Sequence, residues 1–305
     1  MTAPVRPPRF GLVGTGHWAR IAHAPALAST EGIEFAAVWG RNRAAARALA
    51  AEHGTRAYDD IDAFLSDVDA VAFSVPPDVQ GALAVRAARA GKHLLLEKPI
   101  ATSDAAADAL VRAVRDSGVA SVVFFTARFQ PEVRAWLADV ADRGGWAGGN
   151  AVWLGSALSA ASPFNTPWRR EKGALWDLAP HLVSLLWASL GPVVSVTADA
   201  GQADVTHLVL HHASGATSTV TVTLSAAEAA DYSELYLWGE SGRSAAPAET
   251  DQPVRPLRVA LTELAGQAGS GQHGSGQPGH PCDVRFGRDI GRVLATAQRQ
   301  LDART

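Results

Sequence analysis

The chain has 305 residues, of which 47% are hydrophobic, and its formal net charge is −3 at pH 7. This length predicts about two domains with sizeable cores, and the slightly acidic balance argues against a nucleic-acid-binding protein. A single cysteine, Cys282, excludes an internal disulfide and a cysteine-rich metal site.

The N-terminal stretch up to Arg9 lacks the apolar centre of a signal peptide, and no apolar run is long enough to span a bilayer. The lone cysteine is also compatible with a reducing compartment. We therefore expect a cytoplasmic protein that binds neither a membrane nor nucleic acid.

The first apolar segment, residues 9–13, is predicted to be a strand that ends in a glycine-rich turn and leads into a helix over residues 17–28. The spacing Gly14-x-Gly16-x-x-Ala19 fits the dinucleotide-binding fingerprint. Gly14 allows the tight turn, Gly16 allows close approach of a pyrophosphate, and the helix start offers N–H groups to it. The alternative is a purely structural turn, but the strand–helix–strand context favours cofactor binding. The predicted contacts are Gly14, Thr15, Gly16, His17 and Trp18, and the predicted core positions of the helix are Trp18, Ile21, Ala22 and Leu27.

The second strand, residues 33–39, ends at Gly40-Arg41-Asn42-Arg43 rather than at an acidic residue. An acidic residue at this position would bind the ribose 2′-hydroxyl of NAD, and Glu34 lies too early in the strand to do so. Two guanidinium groups suit a 2′-phosphate, so we predict NADP in preference to NAD, with contacts from Arg41, Asn42 and Arg43. The alternative is a solvated turn with arginines at the start of the next helix.

Alternating helices and strands continue to residue 125, which predicts a parallel sheet covered on both faces. Helices are predicted over residues 44–53, 78–90 and 103–116, with Ser103 or Thr102 as the last N-cap, and strands over residues 70–74, 92–96 and 119–125. Ser74 and Pro76 follow one strand and Glu97-Lys98-Pro99 follows the next, at the strand ends where such sheets bind ligands. We predict cofactor contacts at Ser74, Pro76, Glu97 and Lys98.

After a helix over residues 131–143, a glycine turn over residues 144–149 and a strand over residues 150–156, the chain is predicted to be irregular between residues 159 and 170. Trp168 and Arg169 lie in that loop, which either closes over a substrate or is a surface loop fixed by its tryptophan. A helix follows over residues 173–190, in which Asp177 and His181 are one turn apart and Pro180 is a candidate kink. The spacing alone leaves open a surface contact or a carboxylate that orients a histidine base.

The rest of the chain is rich in β-type runs, predicted over residues 193–200, 204–211, 217–225 and 232–238, and ends in a helix over residues 284–301. We expect a mainly antiparallel sheet with one face on helices. Leu208, Leu210, Val220, Val222 and Leu224 are candidates for a second face that pairs with another subunit. His207, His211 and His212 lack further ligand-type neighbours, so no metal is predicted. Residues 266–279 are predicted to be a flexible loop, with a lid as the alternative.

Taken together, these segments resemble the Gfo/Idh/MocA family of oxidoreductases. The motifs are Gly14-Thr15-Gly16-x-x-Ala19, Gly91-Lys92-His93, Glu97-Lys98-Pro99, Thr126-Ala127-Arg128-Phe129-x-Pro131, Gly173-Ala174-Leu175-Trp176-Asp177-Leu178-x-x-His181 and His280-Pro281-Cys282-Asp283. Four features depart from the common pattern of the family: Gln80, Ala127, Ser184 and the pair Ala179-Pro180.

The resemblance implies an α/β chain with an N-terminal Rossmann dinucleotide-binding domain, residues 1–125, and a C-terminal α+β domain, residues 126–305, whose last helix, residues 284–303, packs back on the first domain. It implies a homodimer or homotetramer formed through the C-terminal sheet. It also implies a catalytic set of Lys98, Asp177 and His181, and we add Arg128, Trp168 and Arg169 as substrate contacts.

The predicted function is therefore hydride transfer between NAD(P) and a secondary alcohol or ketone carbon of a sugar, cyclitol or related polyol, without a metal. In this scheme His181 accepts the hydroxyl proton, Asp177 orients His181, and Lys98 stabilises the developing oxyanion or shares the acid–base role. The alternatives are a non-catalytic sensor of cofactor or sugar on the same fold, and a reductase of a non-sugar carbonyl or imine.

Overall fold

A computed structural model describes residues 6–248, 252–269 and 279–304 of the chain. The chain divides into two compact units. The first consists of residues 1–124 and 252–288, and the second of residues 125–251 and 289–305. Residues 252–288, which lie within the predicted second domain, group with the first unit.

The first unit contains a parallel six-stranded sheet with the order β3-β2-β1-β4-β5-β6. Its central strands β1, β4 and β5 are almost entirely buried, as a parallel sheet covered by helices requires. The strands are β1 (Arg9–Val13), β2 (Glu34–Trp39), β3 (Arg56–Tyr58), β4 (Ala70–Phe73), β5 (His93–Glu97) and β6 (Ser121–Phe124). The helices are α1 (Ala24–Ser29), α2 (Arg43–Glu52), α3 (Ile61–Ser66), α4 (Pro77–Arg89), α5 (Asp104–Ser117) and α9 (Val254–Gly269).

Polar side chains fix the starts of three of these helices. The side chains of Asn42, Asp60 and Ser103 each accept a hydrogen bond from a main-chain N–H of the following turn. Such caps satisfy amide groups that have no carbonyl partner within the helix. The prediction that Ser103 or Thr102 caps α5 is resolved in favour of Ser103.

Four features of the first unit were not predicted. The helix after the glycine turn contains a π-helical turn, Ala19–His23, before α1, and this shifts the buried positions to Ala19, Ala22 and His23. The prediction that Ile21 is a core residue is therefore wrong, since Ile21 is exposed. The short edge strand β3 and the helices α3 and α9 were also missed. Helix α9 extends into the predicted loop as far as Gly269, and the remainder of that loop up to residue 278 lies outside the described residues.

The second unit contains a mixed six-stranded sheet with the order β12-β11-β7-β10-β9-β8, in which only the β7–β10 pairing of the described strands is parallel. The strands are β7 (Trp146–Leu154), β8 (Val193–Ala200), β9 (Thr206–His212), β10 (Thr217–Thr223), β11 (Tyr232–Gly239) and β12 (Gly242–Ala245). The helices are α6 (Pro131–Arg143), α7 (Pro167–Asp177) and α8 (Ala179–Leu190). A last helix, α10 (Val284–Asp302), begins in the segment assigned to the first unit and ends in this one.

Gly148 and Gly149 belong to β7 rather than to the predicted turn, which is limited to Gly144 and Gly145 with positive φ. A Cβ on Gly148 would lie 2.5 Å from the ring of Trp238, and one on Gly149 would lie 2.9 Å from a methyl of Leu237. The glycines therefore allow the side chains of β11 to lie across β7. Glycine occurs both in turns and where another chain segment approaches a strand closely, so these glycines were mistaken for part of a turn.

Strand alternation places Leu208 and Leu210 of β9 and Val220 and Val222 of β10 inside the unit, and Leu224 follows directly after β10. Leu208, Leu210, Val220, Val222 and Leu224 are all buried. These residues therefore do not form an exposed face for another subunit, which corrects the expectation above. The opposite face of β9 presents His207, Val209 and His211 to solvent. No helix among the described residues has the length and hydropathy needed to cross a membrane.

Candidate functional site

The turns that follow β1, β2, β4 and β5 lie at the carboxyl edge of the parallel sheet. They carry Gly14, Arg41, Ser74 and Lys98, respectively. The strand order reverses direction between β1 and β4, and open α/β sheets bind ligands outside the carboxyl ends of strands at such a switch point.

The two glycines of the first turn, Gly14 and Gly16, have different roles. Gly14 has φ +132°, and a Cβ on it would lie 2.2 Å from the carbonyl oxygen of Ser74. Gly14 is therefore required by the fold, because β1 and the end of β4 approach closely there. Gly16 has ordinary backbone geometry, and a Cβ on it would meet nothing within 4 Å. The space beside Gly16 is open to a ligand.

Thr15 lies between these glycines and packs against the end of β2. A Cβ on Gly40 would lie 2.8 Å from the methyl group of Thr15, so the buried Gly40 keeps the two turns together. The helical segment begins at His17, which is exposed. The first turn of a helix presents N–H groups that no helical carbonyl accepts, and it is a favourable place for an anion.

Residues 41–44, which follow Gly40 after β2, are exposed, and they include two guanidinium groups separated by one residue. Arg41 and Arg43 flank Asn42, whose Oδ1 accepts a hydrogen bond of 3.0 Å from the N–H of Ala45. Asn42 was predicted as a cofactor contact, and the structure gives its side chain the role of capping α2. The guanidinium groups of Arg41 and Arg43 are positively charged and exposed, as binding of a phosphate requires.

Ser74 and Pro76 border the same edge through their main chains. The N–H of Ser74 donates to Val13 over 2.8 Å, and the carbonyl of Pro76 accepts from Val79 and Gln80 at the start of α4. Both positions therefore shape the turn after β4. The hydroxyl of Ser74 is half-buried and Pro76 is exposed.

Glu97 connects the glycine turn to the end of β5. Its Oε1 accepts hydrogen bonds from Nε1 of Trp18 over 2.7 Å and from Nε2 of His23 over 2.8 Å. Trp18 and Glu97 were predicted as cofactor contacts, and the structure joins them to each other. His23 was not singled out from the sequence, because its burial follows from the π-helical turn and carries no motif.

Lys98 follows Glu97 directly, is half-buried, and precedes Pro99 through a cis peptide bond. The main chain of this loop contacts the amide of Gln80 in α4. Gln80 was noted in the sequence only as a departure from a family pattern, and its contacts were not foreseen.

In the second unit, Asp177 and His181 lie on two helices rather than one. The α7 segment has a break at Gly173, whose φ is +64°, and ends at Asp177, and α8 begins at Ala179. Pro180 lies in the first turn of α8, where proline costs no hydrogen bond, so it starts a helix instead of kinking one. The prediction of one helix over residues 173–190 is therefore wrong.

Asp177 is buried and its carboxylate is held by Arg169. Nε of Arg169 lies 2.6 Å from Oδ2 of Asp177, and Nη2 lies 3.3 Å from Oδ1. A two-pronged pair of this kind fixes the plane of the carboxylate as well as its position. Arg169 was predicted as a substrate contact, and the structure places it beside a predicted catalytic residue.

His181 is buried in the first turn of α8, with its ring beside the indole of Trp153 from the end of β7. The ring centroids are 5.6 Å apart and the planes are tilted by 49°. Trp153 is half-exposed, although the preceding inward residue of β7, Ala151, is buried. Trp153 was not among the predicted site residues, since its position beside His181 depends on how α8 crosses the sheet.

Arg128 and Trp168 complete the predicted substrate residues. Nη1 of Arg128 donates to the carbonyl of Ser184 over 3.1 Å, and Oγ of Ser184 donates to the carbonyl of His181 over 2.7 Å. Arg128 therefore supports the helix that carries His181. Trp168 is half-buried in the first turn of α7. Of the residues that the structure describes, no group of three His, Cys, Asp or Glu side chains could hold a metal ion.

The glycine turn fits a dinucleotide. The open space beside Gly16 offers room for a pyrophosphate, and the helix start at His17 offers N–H donors to it. The exposed Arg41 and Arg43 offer positive charge to a further phosphate. Such a cofactor, when bound, would supply the hydride acceptor or donor of a redox reaction.

Two family models match this chain. Residues 8–125 match a model described as "Oxidoreductase family, NAD-binding Rossmann fold", and residues 147–244 match the "GFO/IDH/MocA C-terminal domain". The chain is 31% identical over 260 residues to an inositol 2-dehydrogenase of Rhizobium meliloti. The aligned region covers 81% of this chain and 77% of that protein.

Solved structures of related dehydrogenases have the same fold. A UDP-N-acetylglucosamine 3-dehydrogenase of Acidithiobacillus ferrooxidans aligns with a TM-score of 0.80 over 97% of this chain and 98% of that chain, at 22% identity. A levoglucosan dehydrogenase in complex with NADH and levoglucosan aligns with a TM-score of 0.82 over 98% of both chains, at 18% identity.

Proposed function

Because the chain belongs to the GFO/IDH/MocA family of oxidoreductases, with an NAD-binding Rossmann fold, we propose that it oxidises a ring hydroxyl of a sugar or cyclitol, or reduces the corresponding ketone, with NADP as the preferred cofactor. The observation that most supports this proposal is the position of Lys98. It follows β5 at the carboxyl edge of the sheet, where the glycine turn after β1 also lies.

The proposed roles follow from the chemistry of each side chain. In the oxidative direction, His181 takes up the proton of the substrate hydroxyl, and a bound nicotinamide would accept the hydride from the carbinol carbon. A histidine suits this role because its ordinary pKa lies near working pH. The ammonium group of Lys98 stabilises the negative charge that develops on the oxygen.

Asp177 supports His181 in this scheme, and Arg169 supports Asp177. The Arg169–Asp177 pair is the structural basis for this assignment, because it fixes one carboxylate four residues before the histidine. Asp177 is thus a positioning residue in the proposal. Arg169 acts through Asp177 in addition to its proposed contact with substrate.

A ring-shaped substrate is favoured by Trp153. Its half-exposed indole lies against the ring of His181 and offers an apolar surface next to the proposed base. Sugars and cyclitols carry C–H groups on one face and hydroxyls around the rim, so they can pack on an indole while a hydroxyl reaches a polar group. The names of the relatives, an inositol dehydrogenase and sugar dehydrogenases, support the same class.

The cofactor part of the proposal is tested by titrating the protein with NADPH and with NADH, following nicotinamide fluorescence. Replacing both Arg41 and Arg43 by serine should weaken NADPH binding by about tenfold or more, since a hydrogen bond to a charged group contributes about 1.5–3 kcal/mol. NADH binding should not change. The control is Arg47→Ser, on the same helix, whose guanidinium is paired with Asp59. Equal effects on both cofactors would contradict the 2′-phosphate assignment.

The catalytic part is tested by assaying a panel of inositols and sugars with the preferred cofactor. Lys98→Ala should lower the turnover of any substrate found by about 10²- to 10⁴-fold, the usual contribution of a group that stabilises charge or transfers a proton. The control is Lys92→Ala at the opposite end of β5. Full turnover by Lys98→Ala would refute the role of Lys98, and cofactor binding without any turnover would favour a sensor.

A further inference from the structure

The side chain of Gln80 is completely buried and its amide contacts the loop that carries Lys98. Its Oε1 accepts a hydrogen bond of 2.9 Å from the main-chain N–H of Glu97, and its Nε2 donates over 2.7 Å to the main-chain carbonyl of the same residue. Nε2 also lies 3.4 Å from the carbonyl oxygens of Pro99 and Ile100. One amide thus satisfies both main-chain groups of Glu97, as a neighbouring strand would.

The surroundings of Gln80 make this amide unusual within its helix. The other buried residues of α4 are Pro77, Gly81, Ala84, Ala87 and Ala88, all small or apolar. A buried amide is costly unless it is hydrogen-bonded, so an apolar residue of similar length would fill the same space at less cost. What the amide supplies beyond packing is a defined position for the main chain at Glu97.

The glycine next to Gln80 is consistent with this close contact. A Cβ on Gly81 would lie 3.6 Å from Cβ of Ala101 and 3.8 Å from the carbonyl oxygen of Ile100. The start of α4 therefore lies directly against residues 100 and 101. The amide of Gln80 reaches the loop from a helix that is already in contact with it.

The side chain of Glu97 is fixed from a second direction. Trp18 and His23, which follow the glycine turn, both donate to its Oε1. His23 is fully buried in the π-helical turn, and turns of this kind occur frequently at functional sites. Glu97 is thus held through its main chain by α4 and through its carboxylate by the helical segment that starts at the cofactor turn.

We propose that Gln80 is a positioning residue for Lys98, and that Trp18 and His23 align Lys98 with the cofactor turn through Glu97. This inference rests on the proposed catalytic role of Lys98. Gln80 touches neither cofactor nor substrate in the proposal. It sets the direction in which the chain leaves β5, and therefore the place from which the lysine side chain extends.

The test is Gln80→Met, which keeps the length of the side chain and removes both hydrogen-bonding atoms. We expect kcat to fall by about 10- to 100-fold, the scale that a misplacement of about 1 Å can cause. The loss in kcat should exceed any weakening of NADPH binding, because the groups at the glycine turn are unchanged. Gln80→His, whose neutral ring has one donor and one acceptor, should restore part of the turnover.

A double-mutant cycle separates this role from a general loss of structure. If Gln80 acts through Lys98, Gln80→Met should have little further effect on turnover in a Lys98→Ala background. Equal losses in both backgrounds would overturn the inference. Gln130→Met, at another buried glutamine at the start of α6, is the matched control and should leave the kcat and the NADPH affinity unchanged.

The outcomes distinguish this inference from the proposed function. Full activity of Lys98→Ala would remove the proposed function and the inference together. A large loss in Lys98→Ala with a normal kcat in a folded Gln80→Met would remove the inference alone. If Gln80→Met does not fold, Gln80→Leu is measured, since its shorter apolar side chain also lacks both hydrogen-bonding atoms. A normal kcat in that variant would equally overturn the inference.

Discussion

The loop that carries Lys98 and the segment that carries His181 are fixed in different ways. At Lys98 it is the main chain that is anchored, through the contacts of Gln80 with Glu97, while the lysine itself is half-buried. At His181 it is the ring that is packed, against Trp153, while the carboxylate of Asp177, four residues earlier, is paired with Arg169. The lysine therefore depends on the path of its backbone, and the histidine depends on the side chains around it.

The largest effect is expected from a change at His181 itself. His181→Asn removes the proposed proton acceptor and should lower kcat by about 10²- to 10⁴-fold, with cofactor affinity unchanged. Steady-state kinetics and a nicotinamide fluorescence titration measure the two quantities. The control is His211→Asn, on an exposed position of β9. A normal kcat in this variant would mean that His181 is not the proton acceptor and that Lys98 alone keeps its proposed role.

A smaller effect is expected from the two glycines, and it separates fold from binding at the cofactor turn. Gly14→Ala should lower the free energy of unfolding by about 1–3 kcal/mol or more, because alanine is strained at φ +132° and its Cβ would clash with Ser74. Gly16→Ala should leave stability unchanged and weaken NADPH binding, since its methyl would fill open space. Urea unfolding and fluorescence titration give both quantities. Equal stability of the two variants would contradict this division of roles.

The smallest effect is expected at His212, whose ring is hydrogen-bonded to Gly191, the residue that follows α8. Burial lowers the pKa of His212 below its ordinary value of 6.5; its hydrogen bond to Gly191 opposes that shift, and the nearby charge of His211 adds to it. Nδ1 of His212 lies 2.8 Å from the carbonyl oxygen of Gly191, and Nε2 lies 2.8 Å from Oγ of Ser218. The neutral ring is therefore the form that the fold favours.

The direction of the pH effect follows from linkage. Below about pH 6.5 the unfolded chain takes up a proton at His212 before the folded chain does, so this stabilisation is complete above that pH and decreases as the pH falls through the lower pKa of the folded state. His212→Gln removes the titration. The decrease in unfolding free energy between pH 8 and pH 5 should be smaller in this variant than in the wild type. An unchanged decrease would show that other groups cause it.

The sequence predicted regular elements best where local signals agreed with the tertiary structure. β1, α6 and β8 have the predicted bounds, and the glycine turn and the position of Lys98 were recognised from spacing alone. The family was predicted correctly from the motifs that resemble it. The two types of sheet were predicted correctly because alternating helices and strands, and a series of strands with period-two alternation, are distinct sequence patterns.

Predictions from the sequence were wrong where one residue type occurs in two different structural settings. Pro180 suggested a kink, but it lies in the first turn of a new helix. Gly148 and Gly149 suggested a turn, but they make room for side chains of β11. The contacts of Gln80, His23 and Trp153 could not be predicted, since each depends on an element distant in sequence and none belongs to a local motif. The roles of Lys98, Asp177 and His181 remain predictions.

Because residues 252–288 belong to the first unit, this unit consists of two separate stretches of the chain. Helix α9 buries Leu257, Ala260, Leu261 and Leu264. Farther along, the carbonyl of Cys282 accepts a hydrogen bond from Val123 in β6. A fragment cut after Phe124 would lack both contacts and would expose the apolar surface that α9 covers. The cofactor-binding half of this chain is therefore discontinuous, and an autonomous version of it would need the two pieces joined by a new linker or supplied as two chains.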